Sequence, residues 1–336
     1  MIAIPIKDEN FKALFLSLDK ANFYLLPFAI LVNIAHLIIL FHPNLRSNSI
    51  FIMLIGICIA DLYTVIVDLA WYLDLIFISD YQDDCFDGDT LGQVLFLLIF
   101  TWAIRIACRK FATYLALFMT LFRTLSVIFP MNLVIQNLSN WSAALGTIIV
   151  NAIVWSIWSI SLHYDYKIRQ LKDYENCEGF PKNYTAPRYT LIHPTTTWQY
   201  FASSAVNTIP PVLYLILSLF LIGKLKKIRV KQQKLMQSGS NNAEKTDKLI
   251  LFMTIAFFLS EMPMSAYSFI RGFFIGDPYI NDLMFVLYAF LIILITLNST
   301  AHVFICFFLS SQYRTAAKSF VRKNQTNVSK TLRLET

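Results

Sequence analysis

The stretch FMTLFRTLSVIFPMN, residues 118–132, holds one arginine, Arg123, in a run that is otherwise almost wholly apolar, with Pro130 seven residues later. A guanidinium keeps its proton at any physiological pH, and burying it in hydrocarbon is costly. At the end of a membrane-spanning helix the same side chain can snorkel to polar groups at the interface. The segment is therefore read according to which end of which helix it occupies, and the rest of the chain fixes that.

The chain has 336 residues, of which 57% are hydrophobic and 15% charged, and its mean hydropathy is +0.56. Soluble domains average roughly 45–50% apolar residues, so the composition is that of a membrane protein. The net charge of +7 would suggest nucleic acid if the basic residues shared a soluble face. They lie mostly between apolar blocks instead, so lipid is the expected surrounding and no nucleic-acid partner is expected. Five cysteines without a CxxC, and five histidines scattered among helices and loops, give no metal or cofactor site. Residues 1–20 carry six charges and no apolar core. No cleaved signal is expected, and the first apolar block serves as a signal-anchor.

A span needs about 20 mostly apolar residues. Seven blocks qualify: 22–41, 49–73, 94–122, 141–162, 198–222, 249–271 and 282–309. The expected architecture is an all-α membrane protein, a seven-transmembrane helix bundle over 22–309. Residues 1–21 form an extracellular N-terminus, and 310–336 a short cytoplasmic amphipathic helix and tail. With the N-terminus outside, fifteen Lys and Arg fall on inner segments and nine on outer ones, which agrees with the positive-inside rule. The sequon at Asn183 then faces outward. So do Cys85 and Cys177, the two cysteines of the outer loops, and they are expected to bridge. Sequons at Asn137, Asn140, Asn298, Asn324 and Asn327 fall inside or within the bilayer and are expected to carry no glycan.

In this orientation Arg123 ends the third helix on the inner side. That arginine, Pro130 and the apolar Met131 together resemble rhodopsin-like (class A) G-protein-coupled receptors. Further matches occur in order: Asn33 in the first span, Asp61 in IADLY, Trp155 and Trp158 in the fourth, Pro210-Pro211 in the fifth, Pro263 in the sixth, and LNSTAHVFICFF in the seventh. More narrowly, MTLFRTLSVIFPM, FFLSEMP and SSQYR resemble the nematode serpentine chemoreceptors of class W, which are similar to FMRFamide-type peptide receptors. The resemblance implies a plasma-membrane receptor for a peptide or an environmental chemical, with a heterotrimeric G protein as partner. It implies that Arg123 lies in the cavity taking the G-protein tail, that Met131 inserts into the G protein, and that the basic stretch with Lys226 and Lys227 flanks it. Three departures stand out. Phe122 replaces the acid before the arginine, Glu261 replaces the tryptophan before Pro263, and His302-Val303-Phe304-Ile305-Cys306 replaces Asn-Pro-x-x-Tyr.

Charges inside the spans follow a pattern of depth. At 1.5 Å per residue, Arg109 lies roughly 21 Å outward of Arg123, Glu261 roughly 20 Å from Lys248, Asp61 roughly 20 Å from Asn48 and Asn298 roughly 18 Å from Ser310. Three helices thus bring ionic groups, and a fourth the amide of Asn298, to one level, where Arg109 is expected to pair with Glu261 or Asp61; the resemblance, which implies contact between the third and sixth helices there, favours Glu261. Asn33, Asp61 and Asn298 are expected to form a polar contact among the first, second and seventh helices. The resemblance implies a sodium ion at the residue matching Asp61, but with Arg109 and Glu261 close by none is expected here. Arg105, one turn outward of Arg109, points to the outer vestibule, so Arg105, Arg109 and Glu261 form the candidate ligand pocket. Arg105 either meets an acceptor on a ligand or pairs with an outer-loop acid such as Asp83, Asp84 or Asp87. Lys110 is read as pointing elsewhere and snorkelling. The acidic loop SDYQDDCFDGD could attract cations, so either sign of ligand is compatible with the sequence. An enzyme is not expected, since HExxH, GxSxG and a Gly-rich phosphate loop are all missing. A transporter or channel is the alternative that mid-membrane charges would also suit, though no internal repeat is visible.

Overall fold

The sixth helix of the chain, Trp141–His163, displays the logic of the whole bundle. Ile149, Ile153, Ile157 and Ile160 are exposed along one face, while Asn151, Trp155 and Ser159, at i, i+4 and i+8, are buried on the other. A helix with its aliphatic side outward and its polar side inward is arranged for lipid. The inward residues bind the neighbouring helix. Asn151 Nδ2 donates to the Phe111 carbonyl at 2.8 Å and Ser159 Oγ to the Ala103 carbonyl at 2.5 Å. Trp155 Nε1 donates to Asn151 Oδ1 at 2.8 Å.

The computed structural model describes residues 8–46, 48–80, 88–138, 140–163, 167–174, 186–192, 197–234, 241–274 and 278–320. In chain order the elements are α1 (Glu9–Leu40), α2 (Pro43–Arg46), α3 (Ser49–Asp80), α4 (Gly88–Ile128), α5 (Leu133–Leu138), α6 (Trp141–His163), β1 (Lys167–Tyr174), β2 (Ala186–Ile192), α7 (Thr197–Lys234), α8 (Asn241–Phe273) and α9 (Pro278–Leu309). A further helix, α10, covers 311–320. Among the described residues seven helices are long and apolar enough to cross a membrane: α1, α3, α4, α6, α7, α8 and α9. The chain is thus a seven-helix membrane bundle. Helix α1 starts well before its apolar block: Asp8 caps the N–H groups of Asn10 and Phe11, so α1 begins at Glu9. The connection between α6 and α7 adds an antiparallel hairpin of β1 and β2 that apolar spans alone do not foretell.

Helix α4 is the centre, packing against α3, α6, α7 and α8, while α1 closes against α3 and α9. The largest core lies in the inner half, where Leu54, Leu115, Tyr214, Phe257, Cys306 and Tyr313 meet. Tyr313 sits on α10 and ties it to α1, its hydroxyl 2.7 Å from His36 Nδ1. Arg314 donates to the carbonyls of Phe307 and Phe308 at the end of α9, at 3.2 and 2.6 Å.

The double proline of α7 shows how neighbouring helices repair a broken ladder. Pro210 and Pro211 have no N–H, so the carbonyls four residues earlier, on Val206 and Asn207, lose their helical partners. Tyr114 Oη on α4 donates to the Val206 carbonyl at 3.0 Å, and Ser265 Oγ on α8 to the Asn207 carbonyl at 2.6 Å. Such repair is what lets a spanning helix keep proline. It also stitches α7 to both α4 and α8 at one level.

Candidate functional site

Above that level lies a pocket of about 200 Å³ bounded by α4, α7, α8 and α9. Helix α4 contributes Trp102, Arg105, Arg109 and Lys110, α7 contributes Asn207, α8 contributes Tyr267 and Arg271, and α9 contributes Tyr288. The 3.6-residue period of α4 aims Arg105 and Arg109 inward, and Lys110 turns toward α7. Lys110 is therefore buried, its ammonium donating to Asn207 Oδ1. This corrects the expectation of a snorkelling lysine: Asn207 supplies a partner inside the bundle. Asn207 Nδ2 donates onward to Ser268 Oγ at 3.1 Å.

Arg105 is also buried. Its Nε donates to Asp68 Oδ1 on α3, and its guanidinium lies 4.6 Å from the Trp102 ring centroid. Its acid partner is thus a residue of the membrane helix, and the loop acids Asp83, Asp84 and Asp87 lie outside the described residues. Asp68 was legible by the same depth arithmetic. It lies twenty residues from Asn48 and Arg105 eighteen from Arg123, so both stand roughly 27–30 Å from the inner side.

Beneath the pocket is a second, much smaller cavity of about 20 Å³, bordered by Asp61, Asp68, Arg109, Glu261 and Asn298. Arg109 borders both cavities. Its Nη2 stands 3.7 Å from Glu261 Oε1, both side chains nearly buried. Arg109 Nε and Nη2, Asp61 Oδ2 and Asn298 Oδ1 have no hydrogen-bond partner among the described residues. Arg109 thus brings a cation to a wall shared with the three carboxylates Asp61, Asp68 and Glu261. No group of metal-binding side chains occurs among the described residues.

The lower polar contact differs from expectation in its pairings. Asn33 Nδ2 donates to Ser299 Oγ and to the Ala29 carbonyl, both at 2.9 Å, so it reaches α9 through Ser299 and not through Asn298. Asp61 Oδ2 lies 3.4 Å from His302 Nδ1, and the His302 ring is 4.6 Å from that of Phe257. That approach is within ion-pair range but lacks hydrogen-bond geometry. His302, read from sequence as a lone polar residue, thus joins α9 to α3 and α8.

At the opposite end of α4 the chain turns at Pro130 and Met131. Arg123 is half-buried there. Thr124 donates to the Thr120 carbonyl at 2.8 Å, and Thr120 meets Thr254 of α8 at 3.0 Å. The turn is fixed by Asn132, which caps α5 through the Val134 N–H at 2.9 Å, and by Gln136 Nε2, which donates to the Pro130 carbonyl at 2.9 Å. These bonds hold out Met131, which is 91% exposed, together with Leu133 and Val134. Lys226 and Lys227 are exposed near the end of α7. Cys85, Cys177 and Asn183 lie outside the described residues, and Cys58, Cys108 and Cys306 are free thiols within the bundle.

One helix, α4, thus joins a polar pocket at its middle to the exposed turn beyond its end. None of the curated proteins matches the chain. Residues 20–324 match the family model of the serpentine type 7TM GPCR chemoreceptor Srw, and with its seven apolar helices the chain belongs to that family of multi-pass plasma-membrane receptors.

Proposed function

We propose that a ligand binding in the pocket lined by Arg105, Arg109 and neighbouring aromatic rings promotes nucleotide exchange on a heterotrimeric G protein docked at the inner turn. One observation carries the reading. The polar pocket and the exposed Met131 turn are connected by a single helix, α4, on which Arg109 and Arg123 stand fourteen residues, roughly 21 Å, apart. Glu261 lies opposite Arg109 on α8, two residues before Pro263, so ligand contacts at Arg109 bear on a helix whose ladder proline interrupts. Arg123 would meet the G-protein tail, Met131 would insert, and Lys226 and Lys227 would flank the cavity. Cys85 and Cys177 are proposed to bridge the outer loops, and Asn183 to carry a glycan, both on the strength of their outer position in the sequence topology. The ligand is an environmental chemical or a peptide, and no catalytic role is proposed.

The test is a screen of peptides and small molecules on cells expressing the chain, read as G-protein activation. An active compound should lose its response with Met131→Asp while surface expression is kept. Ligand-driven solute flux without any G-protein response would replace this reading with that of a transporter.

A further inference from the structure

The wall of the outer pocket is chemically one-sided. Arg105, Arg109, Lys110 and Arg271 line it, and among the described residues no carboxylate does. Asp68 and Glu261 lie behind the arginines, bordering the lower cavity. Arg105 is engaged by Asp68. Arg109 is not engaged to the same degree. Its nearest carboxylate oxygen is 3.7 Å away, beyond the roughly 2.7–2.9 Å of a charge-assisted hydrogen bond. Its Nε and Nη2 are closed off from the pocket and have no hydrogen-bond partner among the described residues, so the guanidinium meets a ligand through Nη1. Lys110 holds one amide oxygen, and an ammonium has further donors to place. Lysine and arginine donate and never accept, and leaving such donors unmet in a low-dielectric site is unfavourable. The wall calls for an acceptor, and a negative one.

We propose that the ligand of this pocket presents a carboxylate, bound between Arg109 and Lys110, with an aromatic body against Trp102, Tyr267 and Tyr288. A pocket of about 200 Å³ takes a small aryl acid, or the carboxylate end of a longer molecule. The inference rests on the reading of this cavity as the ligand site, and it selects the sign that the sequence left open. It also gives binding a consequence. A carboxylate seated on Arg109 from the pocket side competes with Glu261, and so loosens the tie between α4 and α8.

The experiment uses the full chain in lipid nanodiscs and three probes of one shape: phenylacetate, phenylacetamide and phenethylamine. Thermal stabilisation is titrated for wild type, for Lys110→Gln, and for the double variant Arg109→Gln with Glu261→Gln, which leaves no orphaned acid. Phenylacetate alone is expected to stabilise the wild type, with affinity falling about tenfold to a hundredfold in each variant, as for loss of a charged hydrogen bond. The proposal is overturned if the amide or amine stabilises equally, if phenylacetate has no effect at millimolar concentration, or if its effect survives both variants. Specific phenylacetate binding with no G-protein response in cells to any compound would keep this inference and sink the receptor reading. A cationic compound that activates the G protein and loses its effect in Lys110→Gln would do the reverse.

Discussion

Replacing Ser265 with alanine tests how the double proline is tolerated. Its hydroxyl lies 2.6 Å from the Asn207 carbonyl, the group that Pro211 deprives of a helical donor. Removing the hydroxyl leaves that carbonyl unpartnered among buried residues, at a cost of about 1–2 kcal/mol on the scale of lost hydrogen bonds in proteins and bilayers. Pro211→Ala restores an N–H at the right place in the ladder. In that background Ser265→Ala is expected to cost less than about 0.5 kcal/mol, a coupling of about 1 kcal/mol. The assay is thermal unfolding of the four proteins of the cycle in nanodiscs, followed by tryptophan fluorescence. The wild-type background should lose about 2–4 °C on Ser265→Ala, and the Pro211→Ala background much less. Tyr114→Phe with Pro210→Ala should behave alike at the Val206 carbonyl, 3.0 Å from the phenol. Equal losses in both backgrounds would mean that the serine hydroxyl does not stand in for the missing N–H.

Breaking the buried Arg105–Asp68 pair with Asp68→Ala should cost about 3–5 kcal/mol and sharply reduce surface expression, whereas Asp68→Asn with Arg105→Gln should recover most of it; flow cytometry of tagged receptor reads both. Glu261→Gln should raise basal G-protein signalling or lower surface level, and the swap Arg109→Glu with Glu261→Arg should recover more than either single change. Direct pairing is refuted if the swap does no better. Tyr313→Phe removes the 2.7 Å contact with His36 and should lower the unfolding temperature by about 2–4 °C, equivalent to about 1 kcal/mol, with ligand affinity unchanged in a binding titration.

The spans were legible because about 20 apolar residues in a row leave a chain few alternatives, and the level shared by Arg109, Glu261 and Asp61 followed from rise per residue alone. Depth says nothing of rotation about the helix axis, and rotation decides which neighbour a side chain meets. Lys110 follows Arg109 by one position, about 100° around the helix. Whether it faces lipid or α7 depends on Asn207, which no spacing rule links to it. The roles of Tyr114 and Ser265 were hidden for the same reason, although the prolines that need them were plain. Asp68 is legible by the same arithmetic, seven residues outward of Asp61 on α3 and level with Arg105. Nothing beside His302 in the sequence marks it, because its neighbours come from α3 and α8.

The bonds that α6 sends to α4 have a mechanical corollary. Asn151 and Ser159 grip main-chain carbonyls of α4, and a carbonyl cannot swing to another rotamer as a side chain can. The two helices therefore form a rigid mast. The contacts of α4 with α8 run through side-chain tips instead, Thr120 with Thr254 and Arg109 with Glu261, which part without disturbing any ladder. Strain arriving from outside is relieved where the attachment is softest, so the seam between α4 and α8 is the one that yields, with α8 still held to the Asn207 carbonyl of α7 by Ser265, while the mast keeps the inner turn in place.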